Sequence, residues 1–312
     1  TSFTLVTTTS KDFDNDTVDI GVATGVTSTT VDLTGTVAIN GNNPANILTD
    51  AGKLTINDKI NDGTYYESAA LNLGSSDSDN KLTSLVLTGG GLASATAAAV
   101  VTLDNENANI ELASIDASGL DSDLVVTGLV TTGLADDATI TLNASGQKIT
   151  IAEGDALIDQ LEITGGAGSD ELVFTAANSA TYRPGMSSVE KLTVTGAGTT
   201  NGNVILDLSD AGSDTATVAV DLNAMDHDLT IQKASALTTL TLAGTFGADK
   251  LITVGGSSGA LTIDNSAAIT DSGTVVDLTV SDSLDVTIDQ ANASNINIGG
   301  ATTLSKATKL SL

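Results

Sequence analysis

Val218-Ala219-Val220, Leu229-Thr230-Ile231, Leu240-Thr241-Leu242 and Leu251-Ile252-Thr253-Val254 begin 11 residues apart, one after the next. Each run sets apolar side chains at alternate positions, the period of a half-buried strand. Asp, Asn, Gly and Ser fill the intervals and supply turns. The series continues through Leu261-Thr262-Ile263, Leu278-Thr279-Val280, Val286-Thr287-Ile288 and Ile296-Asn297-Ile298, at steps of 10, 17, 8 and 10. Upstream the pattern recurs, as in Leu85-Val86-Leu87, Leu124-Val125-Val126, Ile149-Thr150-Ile151, Leu161-Glu162-Ile163 and Leu192-Thr193-Val194. Strands this short are weak as isolated hairpins, but stacked in successive coils they bury a continuous apolar column. The spacing predicts an all-β chain: a β-solenoid of the parallel β-helix kind, with several short strands per coil and a rung of roughly 20–30 residues. A tandem of β-sandwich domains also gives regularly spaced strands with turn signals. The shortness of the strands, the scarcity of aromatics and the absence of Trp favour the solenoid.

Organisation along the chain follows the same signal. Residues 1–75 read as a less regular β N-terminal part, with Pro44, the Tyr65-Tyr66 pair and the Asn-rich stretch 40–44. Residues 76–175 read as the first half of the solenoid and 191–312 as the second. Between them, 176–190 holds Tyr182, Arg183 and Pro184 and reads as an interrupting loop. Residues 92–103 suit either a short helix or an apolar strand. The ends, Thr1 and Leu312, carry neither an initiator Met nor a signal peptide, as expected of a mature chain or a fragment of a longer one.

Composition narrows the function classes. The 312 residues carry 11 Lys+Arg against 39 Asp+Glu, a net charge of −28. Such a surface repels phosphate, which argues against nucleic-acid binding and against an anionic membrane as partner. No run of about 18 apolar residues is present, so no membrane-inserting helix is expected. With 40% hydrophobic residues the chain buries enough apolar surface to fold, which sets it apart from disordered acidic tails. Of the acids, 32 are Asp and seven are Glu, a bias toward turn and strand-end residues. There is no cysteine, so an extracellular form has no disulfide and calcium is the natural staple.

The most specific motif is Gly165-Gly166-Ala167-Gly168-Ser169-Asp170-Glu171-Leu172-Val173, which matches the calcium-binding β-roll nonapeptide G-G-x-G-x-D-x-U-x. In such a turn Gly165 and Ala167 offer carbonyls and Asp170 offers charge to Ca2+. A plain glycine-rich turn without metal is the alternative. A degenerate copy starting at Gly244 keeps Gly247 and Asp249 but has Thr245 in place of the second glycine. Two further acidic runs suit calcium: Asp12, Asp14 and Asp16 followed by Asp19, and Asp77 with Asp79. The first lacks the glycine and distal Glu of an EF-hand. Asp116 with Asp121 and Asp123 reads as a weaker candidate of the same kind, and a solvated acidic turn is the competing reading for each.

Catalytic sets are thin. Thiol chemistry is excluded, the only histidine is His227 between Asp226 and Asp228, and no G-x-S-x-G elbow accompanies it. A lone histidine leaves no multi-His metal site. Aromatics at 2% and a single arginine argue against a sugar-cleaving groove, so an enzyme is not expected. Asn15, Asn143 and Asn292 match N-x-S/T, a match that arises easily in a chain this rich in Asn, Ser and Thr.

The run Gly165 to Phe174, followed by Met186-Ser187-Ser188-Val189-Glu190-Lys191-Leu192-Thr193-Val194-Thr195-Gly196, resembles the RTX-type surface-layer (S-layer) proteins of Gram-negative bacteria. Ser235 to Gly244 has the same character. The resemblance covers residues 160–312 by motif and 1–160 by composition only, and large RTX adhesins share much of it. It implies type I secretion, calcium-dependent folding at the cell surface and self-assembly with lattice neighbours into a two-dimensional array. Anchoring to cell-surface polysaccharide would fall to a part of the chain outside this sequence. The alternative under the same resemblance is the stalk or ligand-binding region of an RTX adhesin.

Overall fold

A computed structural model describes residues 2–7, 17–20, 27–35, 45–49, 52–58, 70–72, 82–89, 99–102, 112–121, 123–127, 134–151, 158–176, 180–196, 203–221, 228–246, 251–257, 259–264, 269–271, 277–282, 285–289, 303–304 and 309–311. The chain is a β-solenoid of parallel strands, and no α-helix occurs among the described residues. Parallel pairing between consecutive coils replaces the antiparallel hairpins that a tandem of sandwiches requires, so that alternative falls. Two contact-dense units are present, one of residues 1–153 with 160–170 and one of 154–159 with 171–312.

In the first unit the chain alternates between two parallel sheets. One runs Ser2–Thr7, Ser28–Gly35, Lys53–Asp58, Ser84–Gly89, Leu112–Leu120, Leu134–Thr141 and Leu161–Thr164. The other runs Thr17–Ile20, Ala45–Thr49, Ala70–Asn72, Ala99–Thr102, Leu124–Thr127 and Lys148–Ile151. The register puts like on like. Leu54 pairs with Leu85, Leu85 with Ile115, Ile115 with Ile140 and Ile140 with Ile163, and every member of this column is buried. A residue slipped by one would turn the whole column to water, so burial of this face holds the register.

Thr29 stands at the head of that column, in register with Leu54. It is fully buried and, among the described residues, its Oγ1 has no hydrogen-bond partner. An unpaired buried hydroxyl costs free energy that a methyl of similar shape does not. Thr29→Val is therefore expected to stabilise the chain by about 1 kcal/mol. Urea unfolding checks it, and a midpoint at or below that of the wild type would remove the assignment.

The second unit repeats the plan. One sheet runs Glu171–Ala176, Lys191–Gly196, Thr217–Asp221, Thr239–Phe246, Ala260–Asp264, Asp285–Asp289 and Lys309–Ser311. The other runs Thr181–Tyr182, Val204–Asp207, Leu229–Gln232, Leu251–Val254, Asp277–Val280 and Thr303–Leu304. The 11-residue step in the sequence is thus half a coil, one strand per sheet. The step of 17 after Leu261 admits an extra short strand, Ile269–Asp271, which pairs with Gly244–Phe246. Coil lengths match the expected rung, from 20 residues between Thr175 and Thr195 to 31 between Asn57 and Thr88.

Two stretches come out differently from their composition. Within 176–190, set apart above as an interrupting loop, Tyr182, Met186 and Val189 are buried. Tyr182 lies against Phe174 with ring centroids 5.3 Å apart, so two of the seven aromatics meet where this unit begins its second sheet. Irregular spacing there reflects two very short strands, Thr181–Tyr182 and Gly185–Ser187. Of the ambiguous run 92–103, Ala99–Thr102 is strand.

Candidate functional site

The nonapeptide-like turn lies on the turn of the coil before it. A Cβ on Gly166 would overlap the carbonyl of Asn143, and one on Gly168 would overlap the amide of Gly146. These two glycines therefore serve close stacking of backbone on backbone. Gly146 beneath them has φ +87, the left-handed region that glycine tolerates best.

Asp170 is fully buried and binds in two directions. Its Oδ1 accepts the Gln147 N–H at 2.7 Å, and its Oδ2 accepts the Gly166 N–H at 2.8 Å. Gln147 in turn accepts the Asn143 N–H on its Oε1 at 3.0 Å. Asn143 Nδ2 donates to the Leu120 carbonyl at 2.6 Å, and its Oδ1 accepts the Ser145 N–H. A chain of amide and carboxylate hydrogen bonds thus crosses three successive coils through buried side chains. The same bond takes Asn143 out of reach as a glycan acceptor.

A calcium ion takes six to eight hard oxygens at about 2.3–2.6 Å. The turn offers one carboxylate, and each of its oxygens already accepts an amide hydrogen. Among the described residues no three His, Asp or Glu side chains gather as a metal-holding set. Gly165, Ala167 and Asp170 as arranged here fit a hydrogen-bonded turn and do not fit a calcium shell. Asp12, Asp14, Asp16, Asp77, Asp79 and Asp249 lie outside the described residues. Of the degenerate copy, Gly244–Phe246 continues a strand.

Four other described aspartates bind backbone as well. Asp116 Oδ1 accepts from the N–H and hydroxyl of Ser118. Asp123 Oδ1 accepts the Lys148 N–H at 2.9 Å, Asp228 Oδ1 the Leu251 N–H at 2.9 Å, and Asp159 Oδ1 the Arg183 N–H.

A second polar cluster, which composition does not reveal, centres on Asp207. Its side chain is 2% exposed, against 47% for Arg183 and 59% for Lys233. Oδ1 accepts the Ser209 N–H, and Oδ2 receives Lys233 Nζ at 3.0 Å, Gln232 Nε2 at 3.1 Å and Arg183 Nη2 at 3.5 Å. Burial opposes the charged form, yet the hydrogen bonds from Lys233, Ser209 and Gln232 outweigh it and hold the carboxyl well below its ordinary value of 3.8. Lys233 takes a left-handed backbone, φ 56, as do Gly256 and Asp282 at the same point of the next two coils. Nearby, a cavity of about 10 Å³ lined by Leu208, Ala211, Gly212, Ala234 and Leu237 has room for about one water. The cluster joins three coils.

No protein-family model matches the chain, and no curated protein or solved structure is found similar to it.

Proposed function

We propose that this chain is a structural protein of a bacterial surface layer, secreted to the cell exterior and associating with copies of itself through calcium. The observation that carries the reading is the use of its polar residues. The buried side chains of Asp170 and Asn143 and the half-buried side chain of Asp228 bind the backbone of neighbouring coils, an arrangement that builds a scaffold. The outward strand positions carry Thr, Ser, Lys and acids, as in the row Lys191, Thr217, Thr239, Thr262 and Thr287. The motif resemblance of residues 160–312 to RTX-type surface-layer proteins points the same way.

At a net charge of −28, copies of the chain repel one another, and a Debye length of about 8 Å at physiological salt screens this only in part. Divalent ions at the acidic runs Asp12–Asp16 and Asp77–Asp79 would cancel charge locally and bridge carboxylates between copies. Monovalent salt does neither. The protein is therefore expected to be monomeric in chelator, to associate in millimolar calcium, and to stay monomeric in sodium chloride of equal ionic strength. Light scattering in the three solutions decides it. Equal particle size in all three would sink the calcium mechanism, and a calcium-bound monomer would favour the adhesin stalk.

A further inference from the structure

We infer that aspartates of this solenoid are metal-free clasps between consecutive coils, and that the Gly165–Asp170 turn is one of them despite its calcium-loop sequence. The inference stands apart from the surface-layer reading.

Four aspartates carry it. Asp123, Asp159, Asp170 and Asp228 each accept the backbone N–H of a residue 23 to 25 positions away, which is one coil. Two of them share one geometry in different units. Asp123 immediately precedes the strand Leu124–Thr127, and the amide it accepts belongs to Lys148, the first residue of the paired strand Lys148–Ile151. Asp228 immediately precedes Leu229–Gln232, and its donor Leu251 opens Leu251–Val254. Leu124 pairs with Ile149 and Leu229 with Ile252, so each aspartate stands in register with its donor. Its carboxylate supplies the acceptor for an amide at the very end of the parallel ladder.

The chemistry explains the residue choice. Parallel strands lie about 4.8 Å apart, a gap that one methylene and a carboxylate span. Glutamate adds a methylene whose freedom must be lost on ordering. Amide-to-carboxylate bonds are roughly twice as strong as neutral ones. The excess of 32 Asp over seven Glu then follows in part from coil stacking. At Asp170 the amide hydrogens on both oxygens present positive charge where a cation would have to sit.

Asp170→Ala and Asp228→Ala in the full chain test the inference, with urea unfolding and amide exchange followed in chelator and in millimolar calcium. The expected result is a lowered urea midpoint of equal size in both solutions, with exchange at Gln147 in the first variant and Leu251 in the second at least tenfold faster. Asp170→Ala that matches the wild type in chelator, or that loses only a calcium-induced rise in midpoint, overturns the inference. Should either variant fail to fold, the wild type alone decides. Protection of the Gln147 and Gly166 amides relative to that of Leu251 is expected to be the same with and without calcium, and a tenfold gain on adding calcium that is confined to Gln147 and Gly166 overturns it.

Discussion

Gly166→Ala and Gly168→Ala are expected to be the most damaging single substitutions in the first unit, each costing more than about 4 kcal/mol. Neither glycine is there for an unusual backbone angle. The added methyl would occupy the place of the Asn143 carbonyl in one case and the Gly146 amide in the other. Backbone atoms in a stacked turn cannot rotate aside as a side-chain end can, so the coil would have to lift. Lifting breaks the Asp170–Gln147 bond and uncovers Ile163 of the apolar column. Gly259→Ala is the control, because its Cβ would meet nothing within 4 Å, and its effect is expected within about 0.5 kcal/mol. Urea unfolding of the three variants makes the comparison. Gly168→Ala unfolding at the wild-type midpoint would show that the turns are not stacked as described.

Asp207→Ala is expected to destabilise the second unit by about 2–3 kcal/mol near neutral pH. The loss comes from a carboxylate that joins Arg183, Ser209, Gln232 and Lys233 across three coils. Arg183 and Lys233 are half exposed and regain water when it is removed, which keeps the cost below that of stranding a buried cation. The pH dependence has a definite sign. A carboxyl held below 3.8 binds fewer protons folded than unfolded, so its contribution is full above that value and falls away as pH drops through the folded value. The gap between wild type and Asp207→Ala is therefore constant from about pH 5 to 7 and narrows below about pH 4. A gap that widened on acidification would contradict the assignment.

These two sites differ in how far the sequence discloses them. The alternation in Leu229-Thr230-Ile231 and its neighbours is enough to place strands and to choose a solenoid, because burial of one face dictates both period and register. Gly165 to Asp170 is visible as a special turn, but the motif suggests a cation where the fold supplies amides. Which partner a carboxylate meets depends on the coil 23 residues away, which local sequence does not contain. Asp-Leu-x-Val and Asp-Leu-x-Ile, at Asp123 and Asp228, are the signal that was available for the clasps. The aspartate stands one residue before the strand, where a turn reading and a clasp reading look alike. Asp207 is hidden for a plainer reason: its cations come from Arg183 and Lys233, 24 and 26 residues to either side.

As proposed, this stacked, acidic solenoid is a building element that assembles through calcium. Electron microscopy of the purified chain, incubated with millimolar calcium and in parallel with chelator, tests it most directly. Ordered two-dimensional sheets that form with calcium and dissolve in chelator are the expected result; single dispersed particles in both solutions would contradict it.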